Sequence, residues 1–311
     1  MADLQRLFDL ADPRIRGIWD EKESQLSKRL EYQKLGFVDY DAEISDPKFE
    51  PISGLGLAQQ TGEKESYSQD DVVQAGSATI SPVKHTLAVD ITEEMLRFNK
   101  WPKINSLVGG VANGLRGRID KNASKIFYLG AGTTFFTGHD GSALFAAHTL
   151  ADGSTNTNNS TNTLNYDNLK TAAQALDRFV DDKGIQLLPC NKLRLIVARE
   201  KKEKAEEVLR SIGNPDSANR VNNVFNNGEG YMDLVVSNWI PVSEGGTTYS
   251  NYWFLIDMER ASEMAKMVWG WKPRFDDDKV ITKGTKVYTG STMFKPGFVS
   301  HQFAYGSQAT S

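Results

Sequence analysis

Apolar residues recur at helical spacing over residues 101–129, WPKINSLVGGVANGLRGRIDKNASKIFYL. Leu107, Val108, Val111, Leu115, Ile119, Ala123, Ile126 and Phe127 follow steps of four with an occasional one or three. Pro102 suits a first helical turn, where its missing N–H would have no partner anyway. Gly130 and Gly132 supply the stop. The pattern predicts one helix of ~27 residues, about 40 Å long at ~1.5 Å per residue. The usual helix has ~11–12 residues, so this one reads as a strut against which other elements lie. Gly109, Gly110, Gly114 and Gly117 fall inside it. Each costs ~1 kcal/mol against Ala in a helix interior. They mark either local relief in a buried, bent helix or a contact between subunits.

The flanking patterns are shorter. Residues 1–35 are charged and helical in part, with Ile18, Lys22, Leu26 and Leu30 on one stripe and Trp19 beside it. They read as an arm that packs on something else. Over residues 37–44, Val38, Tyr40, Ala42 and Ile44 alternate with Asp39, Asp41 and Glu43, the period of a strand. Residues 54–91 read as a long β-hairpin with an outward limb at 54–60, a polar tip at 61–71 and a return limb from 72. Val83, His85, Leu87, Val89 and Ile91 share one face of that return. Between Gly62 and Asp71 five residues are charged and four of those are acidic. A hairpin this long is marginal alone and needs a partner surface, in the same chain or another.

Beyond the long helix, residues 154–163, STNTNNSTNT, read as a surface loop or linker. Tyr166, Leu169, Ala172, Ala173, Leu176, Phe179 and Val180 then form an amphipathic helix closed by Gly184. LRLIVA, MDLVVS and YWFLID are buried strands, with a second helix at 201–211. Together they make an α/β unit with a central sheet. Met267, Trp269, Trp271 and Phe275 alternate along another strand. The tail, 279–305, reads as two β segments joined near 295–297.

Composition narrows the chemistry. The chain has 311 residues, enough for two domains or one large one. A net charge of −4 argues against a dedicated nucleic-acid binder. The single cysteine, Cys190, excludes an intramolecular disulfide and a cysteine metal cluster; it reads as a buried small hydrophobe. There is no run of 18 apolar residues, so no membrane-spanning helix is expected. The N-terminus carries early acids and no apolar core, so it is not read as a signal peptide, and a cytosol is the expected setting.

Candidate sites are weak. Gly130-Ala131-Gly132 follows a helix rather than a strand and lacks a Gly-Lys-Ser/Thr continuation. His139, Asp140 and His148 fit no helical His-x-x-x-His spacing and read as a turn. His85 and His301 read as strand residues with no neighbouring ligands in sequence. Asp276, Asp277 and Asp278 read as a solvated turn. No Gly-x-Ser-x-Gly elbow is present. No catalytic, cofactor or metal residue is expected, and the chain is not expected to be an enzyme.

The order of parts carries a resemblance: a charged arm, a long β-hairpin, a long helix, a compact α/β unit, then closing strands. Local stretches fit it too. DGSALFAAHTL follows the long helix, LNYDNLKTAAQALDRFVDDKG and LPCNKLRLIVAREKKEKAEEVLRS build the α/β unit, and NYWFLID and WGWKPRFDDDKV are late strands. The chain resembles the major capsid proteins of tailed bacteriophages, with their Hong Kong 97-type α+β fold. The resemblance implies an N-arm at 1–53, an E-loop hairpin at 54–92, and a P-domain with the spine helix at 93–163. An A-domain follows at 164–266, and strands at 267–311 close the P-domain.

It further implies self-assembly into pentamers and hexamers that form an icosahedral head shell around double-stranded DNA, held without sequence preference. A procapsid that matures, a portal and a decoration protein belong to the same expectation, with no cofactor and no membrane. The implied place is the virion, assembled in the bacterial host cytoplasm. Some family members carry an N-terminal scaffolding region; the arm here is too short for one, so a separate scaffolding protein is expected. Some cross-link an E-loop Lys to a neighbour's Asn. Lys64 is the only Lys between Gly54 and Val83, but Glu63 and Glu65 flank it and no cross-link is assigned. The expected contacts between subunits are Lys64 and Tyr67 in the E-loop, with Arg116, Arg118 and Lys121 on the spine receiving the acidic tip. The competing readings are an encapsulin-type compartment shell and an enzyme using a metal or phosphate in the 130–153 loop. Size separates a shell from an enzyme: a shell protein forms particles or capsomers, an enzyme a small oligomer with a bound ion.

Overall fold

The computed structural model describes residues 2–51, 61, 66, 69–71, 76–213, 222–226, 232–280 and 284–308. The arm is α1 (Ala2–Ser27) and α2 (Glu31–Lys34), followed by β1 (Val38–Asp41). β2 (Lys48–Phe49) pairs with β3 (Ala78–Thr79). β4 (Val83–Thr92) runs into α3 (Glu93–Arg97), whose N-cap Thr92 accepts from the Met95 N–H. The long helix is α4 (Trp101–Tyr128), 28 residues with Pro102 in its first turn. β5 (Ala147–Thr149) pairs with β6 (Thr155–Thr157), and β7 (Asn159–Ser160) follows. The α/β unit holds α5 (Tyr166–Asp177), β8 (Leu193–Ala198), α6 (Lys202–Arg210) and β9 (Met232–Ser237). A small hairpin of β10 (Ser243–Glu244) and β11 (Thr247–Thr248) precedes β12 (Trp253–Asp257) and α7 (Met258–Met264). The chain closes with β13 (Ala265–Val280), β14 (Thr285–Phe298) and β15 (Ala304–Ser307).

Two main sheets result. The first has the order β1-β13-β14-β4, and the second β7-β15-β12-β8-β9. Apart from Arg194 and Asp257, β8 and β12 are apolar throughout because both faces of the second sheet are covered. Leu195, Val197, Trp253 and Leu255 pack under α5 and α6. Ile196, Ala198, Phe254 and Ile256 pack instead with Ile119, Ile126 and Phe127 from the far half of α4. The near half of α4 belongs to another core, in which Ile104, Val108, Val111, Ala112 and Leu115 meet Phe8, Ala11, Ile15 and Trp19 of α1. Trp19, Phe275 and Tyr288 stack in sequence there, at 4.7 and 5.5 Å between ring centroids.

The helix sits close on the first sheet. A Cβ on Gly290 of β14 would lie 2.5 Å from Val111 and 2.8 Å from Leu115. Only glycine allows that approach.

Several expectations change. The outward limb at 54–60 and most of the tip lie outside the described residues. The late part of the return limb is not half of a free hairpin: β4 pairs antiparallel with β14 along its whole length, Val83 opposite Phe294 and Thr92 opposite Thr285. The arm buries Phe8, Ala11, Ile15 and Trp19, one quarter-turn from the Ile18–Leu30 stripe, and packs on its own chain's α4. Asp276, Asp277 and Asp278 are in β13 rather than a turn, paired with Thr289, Tyr288 and Val287. β14 runs straight through 295–297, so the joint in the tail falls after Phe298. β15 then joins the second sheet, not the first.

The Asn-rich run is the largest departure. It is not a linker: Asn158 is fully buried and Asn156 nearly so. The Asn158 side chain donates to the carbonyls of Leu144 (2.7 Å) and Ala304 (3.0 Å) and accepts from the Ala146 N–H (2.9 Å). Asn156 exchanges bonds with the Val180 carbonyl and N–H. These amides satisfy backbone groups that the irregular 142–160 segment would otherwise bury unpaired.

Asn158→Ala should therefore cost about 3 kcal/mol, since it strands two buried carbonyls and a half-buried N–H. Thr157→Ala, exposed in the same run, should stay within ~0.5 kcal/mol. Urea unfolding of the two variants checks this; equal midpoints would reject it.

Candidate functional site

The residues expected to meet a neighbour are placed unequally. Lys64 and Tyr67 lie outside the described residues. Arg116 is half-buried and taken up within the chain, in a bidentate pair with Glu23 of α1. It holds the arm to the spine and is not available to an acidic tip. Arg118 is exposed and Lys121 half-buried, and neither is ion-paired among the described residues. The acidic tip also has a partner at home: Lys183 Nζ donates to Asp70 (2.6 Å) and to the Asp71 carbonyl (2.5 Å).

The spine glycines do different jobs. A Cβ on Gly114 would lie 2.8 Å from Leu87 of β4, and one on Gly117 2.9 Å from the Trp239 ring. Gly109 touches only the Lys22 stem, and Gly110 faces open space. Two of the four are thus explained by close packing inside the chain.

Polar pins fix the arm. Lys286, fully buried on β14, is ion-paired with Asp12 of α1 and with Asp277 at 2.6 Å. Arg16 reaches Asp277 as well, and the Tyr288 hydroxyl donates to Asp12. Further along, α2 is clamped between the spine and the second sheet. Asp120 Oδ1 accepts from the Glu31 and Tyr32 N–H groups, both at 3.1 Å. The Glu31 carboxylate accepts from the Ser237 hydroxyl (2.5 Å) and the Asn238 N–H (3.0 Å). Ser124 of α4 lies 3.1 Å from Ser237. Burial pushes the Asp120 carboxyl up to about 6, and the Glu31 charge adds to this against the two N–H groups. Burial raises Glu31 too, opposed by its bonds to Ser237 and Asn238.

The first sheet leaves apolar side chains open on both outer strands. Val38 and Tyr40 on β1 are 41% and 40% exposed, and Val83 and Leu87 on β4 are 52% and 42% exposed. The alternation over 37–44 marks a strand, but its apolar side faces outward with Ile44 beyond it. At the far side of the α/β unit Leu188 and Ile212 are also bare. Periodicity reveals such residues but not which way they face.

The loop after the spine makes no phosphate cradle. Gly130 and Gly132 donate to the Phe127 and Leu129 carbonyls and simply end the helix. His301 lies in the turn between β14 and β15, not in a strand, and stacks on His148 at 3.6 Å. Asp140 accepts from His148 Nδ1 at 2.6 Å. Cys190 is buried, and burial pushes its thiol well above the usual value, so it is an inert packing group.

A family described as phage capsid protein matches residues 76–299 of the sequence. No curated protein matches the chain by sequence. Solved structures match its fold at low identity. The capsid of cyanophage P-SCSP1u is 12% identical with a TM-score of 0.56, over 88% of this chain and 86% of that one. The capsid of Ralstonia phage GP4 is 10% identical with a TM-score of 0.56, over 88% and 87%. A virus-like particle from Pyrococcus furiosus is 9% identical with a TM-score of 0.54, over 95% and 98%. The fold is the Hong Kong 97-type capsid fold, α+β as the order of parts implies.

The clamp on α2 gives a pH test. The Asp120 carboxyl titrates near 6 when folded and near ~3.9 when unfolded. A raised carboxyl contributes stability below about pH 4 and loses it as pH rises through about 6. Asp120→Asn keeps the accepting oxygen without the charge. It should exceed the parent by about 1–2 kcal/mol at pH 7.5, the full shift being discounted for partial exposure, with the gain gone by pH 4. Urea midpoints across that range measure it; parallel profiles would reject it.

Proposed function

The chain belongs to the phage capsid protein family, and from that premise we propose how its copies meet: as pentamers and hexamers that close an icosahedral shell. Its role is structural, not enzymatic. The observation that supports this mode of assembly is the pair of exposed apolar strands, β1 and β4, on opposite edges of the first sheet. Open strand edges with apolar side chains are hazardous on a monomer and useful between copies. The 54–75 segment lies between β1 and β4 in sequence; its proposed contact is a neighbour's Arg118 and Lys121, neither ion-paired among the described residues, while Asp70 and Asp71 are bound by Lys183 of their own chain. Arg116 drops out of that contact because Glu23 holds it.

The same reading extends to partners. A separate scaffolding protein sets the curvature of a precursor shell, a portal occupies one vertex, and decoration proteins lie outside. Double-stranded DNA fills the interior without sequence-specific contacts, as an acidic chain requires. The shell assembles in the bacterial host cytoplasm and ends as the virion head. The division into arm, E-loop, P-domain and A-domain follows the boundaries set out above, except that residues 304–307 join the A-domain sheet. A second reading, a compartment shell enclosing something other than a phage genome, is favoured by the match to the virus-like particle over 95% of this chain. Nucleic acid in purified particles separates the two.

Replacing residues 56–74 with a short Gly-Ser linker spares β3 and Ile80, both part of the described fold. The shortened chain should melt within a few degrees of the parent but form no closed particles by negative-stain microscopy. Arg118→Glu with Lys121→Glu should give the same outcome. A much lower melting point would place the segment in its own subunit's core. Normal shells would remove it as the contact.

A further inference from the structure

Three of the four histidines gather around one cavity of about 210 Å³. Residues 138–142 bring His139 and Asp140, β5 brings His148, and the β14–β15 turn brings His301. The frame is fixed by backbone bonds: His139 N–H to the Val299 carbonyl, Gly138 N–H to Ser142, and Gly141 N–H to Gly138. One donor atom from each of Asp140, His148 and His301 lies within 4.8 Å of the other two.

His301 is the unexplained member. It is 2% exposed, and neither ring nitrogen has a hydrogen-bond partner among the described residues. A buried polar group left in that state is destabilising. One of its ring nitrogens lies within 4.8 Å of a ligand atom on each of Asp140 and His148. Nothing in the shell reading uses it.

We propose that Asp140, His148 and His301 form a binding site for a borderline divalent transition-metal ion, best suited to Zn²⁺. Two imidazoles and one carboxylate match zinc, cobalt and nickel, and are too nitrogen-rich for magnesium or calcium. The two rings now lie parallel, 5° apart, and one ion needs lone pairs that converge at ~2.0–2.2 Å. His301 therefore turns out of the stack as the ion enters, into the cavity beside it. His148 Nε2–H donates to the Leu144 carbonyl at 3.2 Å, so Nδ1, which faces Asp140 at 2.6 Å, is the nitrogen that takes the ion in place of its proton. The ion would tie residues 138–142 to the turn that carries the chain from the first sheet to the second. The sequence gives no warning of this, since His301 is 153 residues from His148.

The experiment uses the full chain, stripped with a chelator and titrated with Zn²⁺ alone, read by calorimetry, elemental analysis and melting temperature. One ion per chain and a rise in melting temperature are expected, because an ion that binds only the folded state stabilises it. Co²⁺ should give visible bands of a nitrogen-ligated site. His301→Phe keeps a ring in the stack but should weaken Zn²⁺ roughly tenfold or more and abolish the thermal shift. Asp140→Asn should weaken it likewise, whereas His85→Ala should not. No uptake by the parent chain overturns the proposal, as does equal uptake by His301→Phe. If that variant fails to fold, the Asp140→Asn titration and the Co²⁺ spectrum of the parent decide.

Discussion

The helix α4 has to serve two hydrophobic cores along one axis, and the distance at which each neighbour can approach it sets the rest of the fold. Its near half lies on β14 so closely that Gly290 has no alternative, because Val111 and Leu115 fill the space where a side chain would be. Its far half lies under Phe254 and Ile256, so the second sheet hangs from the same rod. A rod of 28 residues at ~1.5 Å each spans about 42 Å, enough to hold two sheets apart and still connect them. For a shell subunit this matters more than raw stability. Copies can tile only if the two sheets keep a fixed relation, and close packing on a shared helix transmits strain instead of absorbing it.

The arm shows what apolar packing leaves undecided. The apolar contacts of Trp19 and Ile15 are non-directional and do not by themselves fix the register of α1 on the spine. The buried Lys286, held between Asp12 and Asp277, and the Arg116–Glu23 pair accept only one register. Buried ion pairs contribute little net stability once desolvation is counted, but a misaligned one is expensive. The clamp of Asp120 and Glu31 on α2 does the same at the junction with the second sheet, at the cost of a carboxyl raised to about 6. The polar groups locate the arm; the aromatic stack of Trp19, Phe275 and Tyr288 holds it there.

Much of this architecture was legible from residue order. α4, β8 and β12 emerge at nearly their observed bounds, because long apolar periods are local facts, while α5 ends at Asp177 and β13 runs on through the aspartates to Val280. What escaped depends on contacts far apart in sequence. Asn158 belongs to a run whose composition says loop, yet its amide meets carbonyls 14 and 146 residues away. Asp277 sits in an acidic triplet that looks solvated until Lys286 and Arg16 are folded against it. The alternation of Val38 and Tyr40 gives a strand but not its outward face, since period two is symmetric between core and solvent. The same blindness hid the meeting of His148 with His301.

The exposed edges close the argument between fold and function. A lone subunit has reason to blunt β1 and β4 with charge or proline, as soluble sheets do. This chain leaves Val38, Tyr40, Val83 and Leu87 on them, although nearly a quarter of its residues are charged. Asp39 and Asp41 on β1 and Lys84 and Asp90 on β4 are exposed beside them. Those apolar positions suit the proposed cover by a neighbouring copy. In a closed shell every subunit is surrounded, so no such edge is left bare once assembly is complete. The apolar outer strands, the rigid spine and the pinned arm then fit one solution: a subunit whose interior is fixed by close packing and whose exposed strands suit the proposed contacts with its neighbours.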